Sequence, residues 1–224
     1  MIKLKQREIF NICKMTEIYV TRFTNETWSE NVEYCRKKYH ENVKKIIYNT
    51  PIMISKNVPY NSDIIVVEMN NSINKILGLS IVKNRIKGTH NHKMYSDNNY
   101  NRYSYYGYKR IPVEEMTEFE KEVILFLESI CFKGKTHIKR GQGMSKINDV
   151  MFIKCRHILD VPLYIKKMFR SREKQNKNIL LLKKTIKETN HICSTVIPHP
   201  IIAQPKNSRL EIELLSTWNT STLI

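Results

Sequence analysis

The stretch "SDIIVVEMNNSINKILGLSIV", from Ser62 to Val82, limits the possible folds more than any other part of the chain. Two runs rich in Ile and Val are separated by an Asn-rich break. β-Branched side chains crowd a helix and suit a pleated sheet. Asn tolerates the left-handed backbone of tight turns. The order therefore predicts strand, turn, strand, with turns at Ser62–Asp63 and Asn70–Asn74. "TPIMIS" ahead of this stretch and "EIYVTRF" (Glu17 to Phe23) are β-prone too, and an antiparallel meander is expected.

Helices are announced by a different period. Between Thr27 and Tyr48, the residues Trp28, Val32, Cys35, Tyr39, Val43 and Ile46 recur every three or four positions and predict one amphipathic helix. Arg36, Lys37, Lys38, Lys44 and Lys45 fall on its outer face. Thr117 with Glu120 forms a capping box for a second helix. Phe119, Val123, Phe126, Leu127 and Ile130 point inward from it, and it ends near Gly134. Asp149 to Leu159 reads as a third helix. Asp160 caps a fourth, with Pro162 in the first turn and Val161, Ile165, Met168 and Phe169 inward. The expected class is α+β: a small curved antiparallel sheet or barrel with packed helices and a basic C-terminal extension. The expected units are an N-terminal extension (1–15), a core domain (16–171) and a partly helical, then proline-containing extension (172–224).

Charge narrows the partner. Thirty-eight Lys and Arg against 21 Asp and Glu give a net charge of +17. So basic a chain usually meets an anion, most often nucleic acid. Lys outnumbers Arg by 27 to 11, as AT-rich codons favour, so local clusters carry more weight than the total. No apolar run approaches the roughly 18–20 residues of a membrane span. The N-terminus has no signal-peptide pattern. The five cysteines are scattered, which suits reduced thiols. An intracellular setting (host cytoplasm or nucleus) or a virion is expected, not secretion, and no membrane partner.

Two clusters stand out. "NNYNRYSYYGYKRIP" (Asn98 to Pro112) holds five tyrosines beside Arg102, Lys109 and Arg110. Aromatic rings beside cations hold single strands by stacking bases and pairing phosphates. Cross-strand bracing within a sheet is the alternative use of the same rings. Alternation sends Tyr103 and Tyr105 to one face and Tyr106 and Tyr108 to the other, so one pair is expected in the core. "CFKGKTHIKRGQGMSKI" (Cys131 to Ile147) places Lys133, Lys135, Lys139, Arg140 and Lys146 among Gly134, Gly141 and Gly143, without an acid. Glycines expose backbone N–H groups to a phosphate. The alternative is a helix cap followed by a solvated loop. The candidate nucleic-acid-binding residues are Arg102, Tyr103, Tyr105, Lys109, Arg110, Lys133, Lys135, Lys139, Arg140 and Lys146.

No Cys or His pair has zinc-ligand spacing, so no metal is expected. No catalytic motif occurs, and the acids Glu114 to Glu122 mark a helix start, where the macrodipole favours them. No cofactor is expected. His137 beside Lys139 and Arg140 is the one general-base candidate, and no catalytic residue is assigned.

"VPYNSDIIVVEMNNSINKILGLSIVKN" resembles the PUA-like small barrels, in particular EVE and YTH-type domains, in its Asp turn (Asp63) and its Lys-Ile-x-Gly strand (Gly78). Those domains hold a modified base in an aromatic cage that commonly includes tryptophan. Here the tryptophans are Trp28 and Trp218, and tyrosines would have to serve instead. "NKILGLSIVKN", "YNRYSYYGYKRI" and "CFKGKTHIKRGQGMSKI" together look similar to a protein family of large DNA viruses of eukaryotes, over roughly Pro51 to Phe169. That family brings no established activity. The expected function is non-enzymatic binding of DNA or RNA, dominated by phosphate contacts. A virion structural protein contacting DNA or acidic proteins is the alternative, and a nucleic-acid-processing enzyme the second.

Overall fold

β-Branched residues in the two runs around Asn70–Asn74 pair as a hairpin, β3 (Asp63–Asn70) with β4 (Lys75–Lys83). Asn74 makes the turn with a φ of 54°. A computed structural model describes residues 17–39, 45–86, 92–134 and 137–195, with positions 154, 180 and 183–195 described by backbone alone. The expected N-terminal extension, the proline-containing tail, Val43 and Lys135 lie outside the described residues.

The protein is α+β, and its six strands form one curled half-barrel sheet. In space they run β2-β5-β4-β3-β1-β6, where β1 is Glu17–Phe23, β2 Ile46–Thr50, β5 Tyr103–Pro112 and β6 Ser145–Lys146. The helices are α1 (Asn25–Tyr39), α2 (Glu118–Phe132), α3 (Asp149–Cys155) and α4 (Val161–Thr195). β1 and β3 are buried on both faces, which is why they read as near-continuous apolar runs. One face carries Ile18, Val20, Ile65, Val67, Leu79 and Ile111 against α2, α3 and the first turns of α4. The other carries Tyr19, Ile64, Val66, Tyr48 and Tyr105 with Cys35 of α1.

Several expectations are corrected. The first helix covers Asn25–Tyr39 among the described residues, and Ile46 belongs to β2 rather than to its stripe. Ile46, Ile47 and Tyr48 gain more from pairing with β5 than from extending a helical stripe. "TPIMIS" is not a strand: beyond Thr50 the chain bends at Pro51, and Ile54 donates its N–H to the Tyr105 hydroxyl (2.9 Å). The sheet is not wholly antiparallel, because β1 lies parallel to β3, in register from Glu17↔Ile64 to Phe23↔Asn70. α1 and β2 supply the crossover that parallel neighbours require. α3 ends at Cys155 rather than Leu159.

Edge strand β2 is covered from outside. The Asn31 amide donates to the Ile47 carbonyl (2.8 Å), the Ile47 N–H donates to Cys35 Sγ (3.4 Å), and the Asn49 amide donates to the His92 carbonyl (2.6 Å). The capping box on α2 is present as the pattern predicts, and Asp160 accepts from the Leu163 N–H (3.1 Å). α4 runs unbroken through Ser171, and the chain divides into compact units after Gln175. Arg172 and Glu173 account for the later division: they pair with Glu120 and Lys109 of the core.

Candidate nucleic-acid interface

β5 sits between β2 and β4 and distributes the tyrosines. Tyr105, opposite Tyr48, is fully buried, its hydroxyl spent on Ile54. It belongs to the core and presents no face to a base. Tyr103 packs half-buried against the same cluster. Tyr106 is also partly buried against that cluster, and Tyr108 is partly buried against the opposite one. Tyr106 and Tyr108 line an open groove of about 410 Å3 together with Lys83 and Arg85 at the end of β4.

The groove is held by its own contacts. A bulge in the β4–β5 pairing sets Gly107 against Val82 and Lys109 against Ile81, leaving Tyr108 without a β4 partner. The Tyr108 hydroxyl donates to Asp63 (2.8 Å), and Lys83 Nζ lies 2.7 Å from the same carboxylate. Lys83 and Lys109 sit 5.7 and 5.0 Å from the Tyr108 ring centroid. Tyr106 hydrogen-bonds His92, whose other ring nitrogen meets the Tyr34 hydroxyl at 2.5 Å. Lys38 Nζ lies 3.2 Å from His92 Nε2 and 5.7 Å from the Tyr106 ring centroid. Burial raises the Tyr106 hydroxyl; burial, then the Asp63 hydrogen bond, raises that of Tyr108. Both stay protonated donors at neutral pH. On α4, burial and then Arg170 hold the Lys166 ammonium below its usual range, against the pull of Asp160 and Asp63. Asp63 thus pairs with Lys83 directly and attracts Lys166, while Lys109 is paired with Glu173.

Arg110 faces inward. Its guanidinium grips Glu68 through Nε (2.9 and 3.1 Å) and Nη2 (2.8 Å). Glu68 is completely buried, and its remaining partner is the Tyr48 hydroxyl, which also meets Ser80 Oγ at 2.7 Å. Burial works against the Arg110 charge, and Glu68 more than restores it, so the net shift is upward. The Arg110 carbon Cζ lies 5.3 Å from the Trp28 ring centroid. This is a structural ion pair. Arg110 is not a free phosphate ligand.

The basic loop forms a separate region. Arg22 of β1 donates to the carbonyls of Ile138 (2.8 Å) and Gly143 (3.3 Å) and to Ser145 Oγ (2.8 Å). Gly143, with a φ of 63°, presses so close to Thr50 that an added Cβ would lie 2.0 Å from the Thr50 hydroxyl oxygen. The structure brings this loop near Arg102 and Tyr103, because Thr50 pairs with Tyr103. Arg140 and Lys133 are exposed, while Lys139 offers its carbonyl to Asn71 (3.2 Å). Lys146 is engaged with Glu17 (3.2 Å) and Asp149 (2.9 Å). Lys109 lies seven residues along β5 from Arg102, roughly 23 Å at strand rise, and is paired with Glu173. Arg102 and the basic loop thus lie in one region and Lys109 in another.

Among the described residues, no group of three His, Cys, Asp or Glu could hold a metal ion. No described helix is long and apolar enough to cross a membrane. Cys35, Cys131 and Cys155 are free thiols, with Cys131 pushed up to about 12 by burial. No protein-family model matches the chain, and no curated protein or solved structure matches it either.

Proposed function

We propose that the protein binds single-stranded nucleic acid without catalysis, and that the Tyr106–Tyr108 groove is the contact site. One observation carries the reading: two partly buried rings and two cations, Lys83 and Arg85, line the same open volume of about 410 Å3. Rings of this kind stack bases regardless of sequence, and the cations neutralise phosphates. Arg102, Lys133 and Arg140 are exposed and free to add phosphate contacts in the second region. The finer fold assignment belongs to the same proposal. The curled sheet, the Asp63 turn and the Gly78 strand support a place beside the PUA-like barrels, and Lys177, Lys183, Lys184 and Lys187 support a basic extension beyond Gln175.

The test is fluorescence anisotropy on labelled 15-mers of dT and of rU over a salt series, which also separates DNA from RNA. Tyr106→Ala and Tyr108→Ala are each expected to weaken binding by about 1–3 kcal/mol, while the Phe variants keep the ring and most of the affinity. Lys83→Gln with Arg85→Gln should reduce the slope of log K against log salt by about 1.4, two phosphates on a single strand. Alanine variants that bind like the parent would overturn the proposal.

A further inference from the structure

A second cavity, of about 270 Å3, lies between α1 and the start of β2, and its contents are chemically one-sided. Trp28, Val32 and Ile46 form apolar walls, and Arg36, Lys45 and Arg110 bring three cations to it. Asn31 and Cys35 complete the lining, and no carboxylate lines the cavity among the described residues. Glu68 stands behind Arg110 with both oxygens already engaged.

The cations differ in how they are fixed. Arg110 is clamped by Glu68 on one edge and lies 5.3 Å from the Trp28 centroid. Its Nε and Nη2 are used on Glu68 and on the Leu77 carbonyl, whereas its Nη1 makes no hydrogen bond among the described residues. That leaves one permanently charged guanidinium donor on a residue that lines the cavity. Arg36 and Lys45 are exposed at the rim, Lys45 Nζ lying 5.7 Å from the Tyr39 centroid. Val32, 43% exposed, turns a branched apolar side chain toward the same opening.

An apolar volume ringed by cations is complementary to an apolar body bearing one anionic group. Drug-sized ligands occupy pockets of about 300–1,000 Å3, so the occupant is smaller, one or two fused rings. A planar carboxylate matches one fixed guanidinium donor and one movable ammonium. We propose that this cavity binds a small aromatic carboxylate. The site is independent of the Tyr106–Tyr108 groove.

The experiment is a titration of the full-length, 15N-labelled protein with 2-naphthoate, following the two indole N–H signals, with Trp218→Phe to identify that of Trp28. A saturable shift of the Trp28 signal is expected. The neutral isostere 2-naphthamide should bind at least about tenfold more weakly, since it forfeits a charge-assisted hydrogen bond. Arg36→Gln with Lys45→Gln should weaken 2-naphthoate about two- to twentyfold, as expected for two rim charges. Val32→Trp fills the cavity from a position exposed enough to leave the fold intact, which the rest of the spectrum reports, and should abolish the shift. The proposal is overturned if the Trp28 signal does not move, if the amide binds as tightly, or if either the filled or the rim-neutral variant binds like the parent. Tighter binding of 2-naphthyl phosphate would overturn the carboxylate assignment.

Discussion

Removing Arg110 while leaving Glu68 in place strands a buried carboxylate within the sheet. Arg110→Met keeps a long apolar stem but deletes the three contacts that hold the Glu68 carboxylate, at 2.8 to 3.1 Å. Only the Tyr48 hydroxyl then remains on an acid with no exposed surface. Breaking a buried pair by removing one partner costs about 3–5 kcal/mol, because the survivor keeps its desolvation penalty without compensation. For a chain of this size that corresponds to a fall in Tm of about 6–20 °C. Replacing both partners, Glu68→Met with Arg110→Met, removes the stranded charge and still leaves Tyr48 bonded to Ser80. The double variant should therefore recover most of the loss. Urea unfolding of parent, single and double variants reads these differences directly. A single variant costing less than about 1 kcal/mol, or a double variant no better than the single, would refute the account of the pair as a buried, mutually dependent unit.

Gly78→Ala should destabilise by about 1–3 kcal/mol, since its Cβ would lie 2.7 Å from a Glu68 oxygen and 2.9 Å from the Ile111 carbonyl oxygen. Thermal unfolding checks this, and an unchanged Tm would show that the strand yields there. Glu120 is held below its ordinary value of 4.5, chiefly by the Arg172 hydrogen bonds. The folded carboxyl thus loses its proton more readily than the unfolded one. Its contribution is full above about pH 4.5 and fades as pH falls through the lower folded value. Urea midpoints between about pH 5 and pH 3 should accordingly drop less steeply in Glu120→Gln than in the parent, and parallel limbs would contradict the pairing. Tyr105→Phe should cost about 1 kcal/mol through the Ile54 bond and leave strand affinity unchanged; a selective loss of binding would return Tyr105 to the interface.

Local chemistry made much of the fold readable. The hairpin at Asn70–Asn74, the capping box at Thr117 and the cap at Asp160 each depend on residues within a few positions of one another. Ile46–Thr50 was obscured because its partners are the tyrosines some 57 residues on, and a helical period could be continued through it. The parallel placement of β1 against β3 is a choice among non-local pairings that no short pattern records. At the candidate site, alternation pairs Tyr106 with Tyr108. In the fold, Tyr106 packs with Tyr103 and Tyr105 on one cluster and Tyr108 on the other, because a bulge beside Gly107 that no alternating pattern records interrupts the strand. Lys83 and Arg85 carry no local signal that sets them apart from other strand-end cations. A usable signal did exist for Arg110: Glu68 sits alone in an apolar strand, and an acid there demands a buried partner of opposite charge. Within β4 and β5 the one arginine is Arg110, and it pairs with Glu68.

The side chains laid along the outside of β2 also bear on what other molecules the sheet can recruit. An open half-barrel has two rims, and a rim of unsatisfied amides and carbonyls is a template on which foreign strands can grow. Here one rim is a two-residue strand, too short to guide such growth. Along the other, Ile47 has both its outward groups consumed by Asn31 and Cys35, from a helix that precedes it in the chain. The barrel is open in shape and yet sealed to β-addition at that point, so self-association by strand exchange is blocked there before any surface charge is considered. α1 thus serves two purposes at once: one turn of it walls a small cavity, and the same turn keeps the sheet's most vulnerable border from becoming a seed for aggregation.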